Sequence, residues 1–229
     1  MITRIARTAG FSGLLAALLL TLLQSLWVAP LILQAETYEN TAPAAHHDHG
    51  DQAVAAHVHD DEAWAPADGW QRVLSTLGGN LVVAVGFALM LAALYSLREP
   101  RGIGTGALWG LAGFAVFCLA PMLGLPPELP GTAAAELSQR QAWWIGTAAA
   151  TAVGLALLVF ARPGWVKVLG AVLLVIPHVL GAPQPDVHES LAPQALESQF
   201  ILASGLTNAA FWLALGVLST WLYRRVGRA

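Results

Sequence analysis

Long apolar runs separated by short polar stretches set the pattern of this chain. Residues 8–35 contain "LLAALLLTLLQSLWVAPLIL", and 73–97 contain "LVVAVGFALMLAALYSL". Residues 102–127 contain "GALWGLAGFAVFCLAPMLGL", and 141–161 read "QAWWIGTAAATAVGLALLVFA". Residues 168–185, around "LGAVLLVIPHVLGA", form the shortest run, and 198–223 contain "FILASGLTNAAFWLALGVLSTWLY". A helix needs about 20 apolar residues to cross a bilayer. The pattern therefore predicts an all-α fold, a polytopic transmembrane helix bundle of six spans forming a single integral membrane domain over residues 1–229. The first run follows Arg4 and Arg7, as a signal peptide would. It is too long for an h-region and no small-x-small cleavage site follows, so it reads as a retained helix.

The basic residues orient the spans. With both termini cytoplasmic, the inner side holds Arg4, Arg7, Arg98, Arg101, Arg162, Lys167, Arg224, Arg225 and Arg228, and the outer side only Arg72 and Arg140. Five or seven spans would spoil that asymmetry, so positive-inside charge favours six. Trp27, Trp70, Trp143, Trp144, Trp165 and Trp221 fall near predicted span ends, where interfacial anchors belong. Composition agrees: 56% of the 229 residues are apolar and 11% charged, against about 25% charged in soluble domains. Cys118 is the one cysteine, which excludes an intrachain disulfide or thiolate cluster. The chain has no Walker A, nucleotide-binding glycine or HExxH pattern, so it carries no ATPase of its own. Nothing in the charge pattern suits nucleic acid.

The outer loop, 36–72, holds eight of the fourteen acidic residues: Glu36, Glu39, Asp48, Asp51, Asp60, Asp61, Glu62 and Asp68. It attracts cations and has little with which to build a core. Its middle, 41–61, is expected to be disordered without a ligand. Five of the seven histidines also lie there, His46, His47 and His49 in one cluster and His57 and His59 in a second. Imidazole beside carboxylate, here Asp48 and Asp51 or Asp60 and Asp61, suits borderline divalent metals such as cobalt, nickel and zinc. A plain solvated loop is the alternative. His178 stands inside the fifth run, directly after Pro177, where an ionisable group is costly and tends to face a cavity. With Asp186, His188 and Glu189 just beyond, and Glu128 at the end of the third run, it makes a candidate second metal site. A neutral histidine bonded to a carbonyl is the competing reading.

The three outward runs end in proline: "WVAPLILQAE", "APMLGLPPELPG" and "IPHVLGAPQPDVHES". Such prolines can free carbonyls toward a cavity or merely stop a helix. Gly102, Gly106, Gly110 and Gly113, and then Gly146, Ala150 and Gly154, suit close helix packing. Gln24, Asn80, Thr207 and Asn208 are the uncharged polar residues inside the spans, and helix–helix hydrogen bonds explain them adequately.

These blocks, "TLLQSLWVAPLILQAETYE", "EAWAPADGWQR", "RQAWWIGTAAATAVGLALL" and above all "LGLPPELPG" and "PHVLGAPQP", resemble the bacterial CbtA family over nearly the whole chain. The resemblance implies a cobalt transporter subunit of the bacterial inner membrane, linked to cobalamin synthesis. It also implies a small single-span partner of the CbtB type with its own histidine motif, and it supplies no binding residues. Family descriptions count five spans where these residues support six. The expected function is thus a permease subunit for cobalt or a similar divalent metal. It is not an enzyme and carries no cofactor beyond the transported ion, and homo-oligomerisation is left open. A membrane-embedded metalloenzyme would need a base and a substrate cavity that no residue here specifies. A periplasmic metal sensor or chaperone would explain the loop and leave six spans without a task.

Overall fold

A computed structural model of the protein describes residues 1–41, 66–187 and 189–226. Six helical rods make up the bundle. Helix α1 runs from Ile2–Leu23 through a π-helical turn, Gln24–Val28, into Ala29–Thr41; α2 is Trp70–Leu97. Helix α3 runs from Ile103–Phe114 through a second π turn, Ala115–Leu119, into Ala120–Met122. Then come α4 (Leu137–Phe160), α5 (Gly164–Leu180) and α6 (Gln194–Val226). Among the described residues there is no strand beyond a single bridge, Thr132 to Ser190. Five of the six helices are long and apolar enough to cross a membrane. The fifth, α5, has 17 residues and so reaches about 26 Å, short of a hydrocarbon core of about 30 Å.

Both ends of the chain meet at one end of the bundle, hereafter the terminal end. Arg4 donates to the Tyr223 carbonyl and to Glu99, each at 2.8 Å, and Arg224 donates to the Arg101 carbonyl at 2.6 Å. The opposite, distal end carries the connections α1–α2, α3–α4 and α5–α6. The expected loop begins later than residue 36. Helix α1 continues to Thr41 because "LILQAETYEN" holds helix formers and no breaker, so Glu36 sits on a helix. Residues 42–65, and with them the expected disorder at 41–61 apart from Thr41, lie outside the described residues.

Lipid is as apolar as leucine, so helices associate here by close approach rather than by a hydrophobic drive. Helix α1 supplies the stripe for it: Thr8, Ala9, Ser12, Gly13, Ala16, Ala17 and Leu20 are buried at helical spacing. That stripe packs on Ala84, Ala88, Leu91 and Tyr95 of α2 and on Phe211, Leu215 and Tyr223 of α6. Helix α3 lies along α6 through glycine: a Cβ on Gly106 would strike Gly216 and Thr220, and one on Gly113 would strike the Trp212 ring. In the α4–α5 pair, a Cβ on Gly154 or on Gly170 would each come within 2.8 Å of the other's carbonyl oxygen. Gly146, expected in the same stripe, faces open space. Rings of Phe87 and Phe117, 4.9 Å apart, join α2 to α3 and close a group of four, α1, α2, α3 and α6.

Glu136 starts α4. Its carboxylate accepts from the Ser138 hydroxyl and from the amides of Ser138 and Gln139, satisfying donors that no helical carbonyl reaches. The Ser138 hydroxyl first, then those amides, hold its pKa below the usual carboxylate range. A depressed carboxylate contributes stability above its unfolded pKa and loses it as pH falls through the folded value. Below pH of about 4.5, wild type and Glu136→Gln should therefore converge in melting temperature, with wild type the more stable at neutral pH; parallel curves down to pH 2 would contradict the cap.

Candidate functional site

At the distal end, α3 runs out into Gly124–Leu125–Pro126–Pro127–Glu128–Leu129, and prolines at 183 and 185 stiffen the connection from α5 to α6. The two connections pair with each other. Ala133 donates to the Glu189 carbonyl at 2.9 Å and Leu191 to the Gly131 carbonyl at 3.3 Å. Gly131 makes the turn with φ of 76°, a conformation glycine adopts without cost. Beneath this pairing lies a cavity of about 170 Å³, whose wall includes Glu128, Arg140, Gln184, Glu197 and Ile201.

Two carboxylates and one guanidinium face this space. Glu128 is taken up by Arg140 at 2.9 Å, both side chains half-buried. Glu197, in the first turn of α6, has no hydrogen bond or ion pair from its carboxylate among the described residues. The wall keeps a net negative charge and so favours a cation. A matching pair stands at the next helix end, where Arg72 in the first turn of α2 binds Glu36 of α1 and, at 2.9 Å, Asp68. Arg72 and Arg140 are thus both bound to acids.

The residues expected to hold metal are distributed as follows. His46, His47, His49, His57, His59, Asp60, Asp61 and His188 lie outside the described residues. Glu128 lines the cavity. Asp186 and Glu189 are exposed on the connection above it. His178, in the last turn of α5, meets the ring of Trp143 edge-on at 6.1 Å, and Trp143 donates its indole N–H to the Pro177 carbonyl at 3.3 Å. Among the described residues no three of His, Cys, Asp and Glu come together as a metal-holding group. Glu197 and Gln184 belong to the cavity and escaped the sequence reading, which placed Arg140 on the outer side without a role in a site. A lone carboxylate opening the last span, on the side of the acidic loop, was the available signal.

A family model described as "Probable cobalt transporter subunit (CbtA)" matches residues 2–224, nearly the whole chain. The chain belongs to the CbtA family. With five helices able to span and a sixth beside them, it is a multi-pass membrane protein, and the CbtA description makes it a cobalt transporter subunit. No curated protein and no solved structure matches the chain. The cavity, with its one uncompensated carboxylate, is therefore a feature of this CbtA chain read from its own geometry.

Proposed function

We propose that this chain is the permease subunit that admits Co²⁺, or a similar divalent transition metal, across a bacterial inner membrane. It serves cobalamin synthesis beside a small single-span partner with its own histidines. The observation that carries the reading is the acid-walled cavity at the distal end, in a chain of the cobalt transporter subunit family. The terminal end is taken to face the cytoplasm, which the nine-to-two split of basic residues along the sequence supports. The histidines and acids of residues 46–61 collect the ion outside. His178, Asp186, His188 and Glu189, with Glu128, form the entrance. Inward passage of a dication gains about 2.3 kcal/mol per charge per 100 mV of negative-inside potential, so no chemistry has to be coupled to it and none is assigned.

Uptake of radiolabelled cobalt into cells tests this. Deleting residues 42–65 is expected to raise the half-saturating cobalt concentration severalfold at an unchanged maximal rate. His178→Ala should lower the maximal rate itself. Capture by neutral imidazole should weaken as pH falls through about 6.5, and the deletion should abolish that dependence. If neither change reduces uptake at limiting cobalt, these histidines are not on the path.

A further inference from the structure

Beneath the cavity the spans hold a second polar level. Its depth follows from helix register. Ser219 of α6 donates to Ser12 of α1 at 3.2 Å, and Ala35 clusters with Leu196 and Phe200. Between these anchors the antiparallel register brings Gln24 opposite Thr207. On the other side of α6, Gly110 abuts Trp212, and the Met122 methyl lies 3.3 Å from where a Cβ on Gly205 would stand. That register sets Ala115–Leu119 against the same Thr207–Asn208 segment. Both π turns therefore flank α6 at one depth, and both contact it.

Each π turn is followed by Ala-Pro, and the pair leaves a carbonyl without a helical donor. The Ala29 amide donates to the Gln24 carbonyl, and the donor that would serve Ser25 next is Pro30, which has no N–H. In α3 the Ala120 amide donates to Ala115, and Pro121 leaves Val116 in the same position. π turns occur frequently at functional sites, and carbonyls freed by broken helices are ion ligands within membranes. Side chains join them. Asn80 of α2 donates to Gln24 at 2.7 Å and to Thr21 at 3.0 Å. Thr207 is 1% exposed and its hydroxyl has no partner among the described residues. Asn208 donates to the Ser204 carbonyl at 2.9 Å, leaving its amide oxygen without a donor among the described residues.

One face of α6 joins this level to the cavity. Glu197, Ile201, Ser204, Asn208 and Trp212 follow helical spacing, and the first two line the cavity. The last closes the face from below: Trp212, fully buried, stacks on Phe117 at 5.6 Å and lies 4.5 Å from Phe87. Three rings thus form an apolar plug toward the terminal end, a constriction of the kind that gates by excluding water.

Deepening the permease reading, on which it rests, we infer that this level is a transit site for the dehydrated or partly hydrated dication. Its neutral oxygens stand on two sides of α6: the amides of Gln24 and Asn80, the Thr207 hydroxyl and the Ser25 carbonyl toward α1, and the Asn208 amide oxygen and the Val116 carbonyl toward α3, which the ion meets in turn. The site stands between an acid-walled vestibule and the Phe87–Phe117–Trp212 plug. The four helices that enclose this level bring no carboxylate, imidazole or guanidinium to it, since residues 8–35, 73–97, 102–127 and 198–223 contain none. Neutral ligands hold a dication weakly enough to release it onward.

Cys118, the chain's one cysteine, sits in the second π turn beside Phe117 and packs on the cluster that holds Trp212. It reports on the site without any added label. The full chain in native membranes is treated with N-ethylmaleimide with and without cobalt chloride, and uptake is followed in parallel. Cobalt should slow alkylation of Cys118 severalfold in wild type. Thr207→Val removes a hydroxyl without a partner, so a merely structural residue would leave stability and transport unchanged. The transit site instead requires maximal uptake to fall roughly tenfold, as for a lost polar contact to a charge, with the protein still folded. Asn208→Leu should abolish protection of Cys118 and Asn208→Asp should restore it at lower cobalt. Cys118 alkylation indifferent to cobalt, or wild-type uptake in Thr207→Val, overturns the site. Absence of uptake in wild type would instead overturn the permease reading, and the alkylation result would still decide whether cobalt binds at this level.

Discussion

Gly110→Val should yield a protein that no longer packs α3 on α6, seen as loss of the monodisperse species in detergent and of its melting transition. A Cβ at this position would run into the Trp212 carbonyl and lie 3.3 Å from the Gly216 Cα, so it meets the α6 backbone itself. Flexible side chains can step aside; two helix backbones cannot, except by separating. Overpacking a tight core costs about 1–3 kcal/mol, and here the top of that range or more is expected, because α3 has most of its contact with the bundle along this seam. Gly146→Val is the control. Its Cβ meets nothing within 4 Å, so the shift should stay within about 0.5 kcal/mol, as for ordinary surface substitutions. Equal melting temperatures for the two variants would mean that α3 and α6 do not meet as described.

The difference between these glycines marks what could be read from the chain and what could not. Apolar length and the placement of basic residues are one-dimensional properties, so six helices with the termini together were legible. Which small residue faces a neighbour depends on helix rotation: Gly110 and Gly154 meet partners and Gly146 does not, though all three looked alike in sequence. The two π turns were likewise hidden. "LWVAP" and "FCLAP" announce a proline within a span, but whether the helix stops, kinks or inserts an extra residue depends on what packs against it. Pro30 does not end its helix, which runs on to Thr41, whereas the helix of Pro121 stops one residue later, at Met122. The cavity was half legible. Glu128 stood out because it follows a proline turn, whereas Glu197 needed the α6 register to bring it to the same wall. The two Glu–Arg pairs were within reach, since Arg72 and Arg140 were the sole basic residues expected outside, and each opens a helix near an acid.

Those pairs give the cavity variants opposite signs. Glu197→Lys should depress cobalt uptake at limiting cobalt most. It changes the wall by two charges, worth about 2 kcal/mol on a dication about 8 Å away at the dielectric of water. Screening over a Debye length of about 8 Å can reduce that to about 0.8 kcal/mol, so the expected loss lies between about four-fold and about thirty-fold. Glu197→Gln should cost the square root of that factor. Glu128→Gln should act in the same direction by baring the Arg140 guanidinium, now 2.9 Å from its partner. Arg140→Gln should act in the opposite direction, releasing a carboxylate and lowering the half-saturating cobalt concentration. A role confined to holding the α3–α4 connection against α4 would make Glu128→Gln and Arg140→Gln equally harmful, because each breaks the same bond. Raising ionic strength separates the two accounts again. An electrostatic vestibule loses its advantage as salt rises and the variants converge, whereas a broken structural pair leaves them apart at every salt concentration.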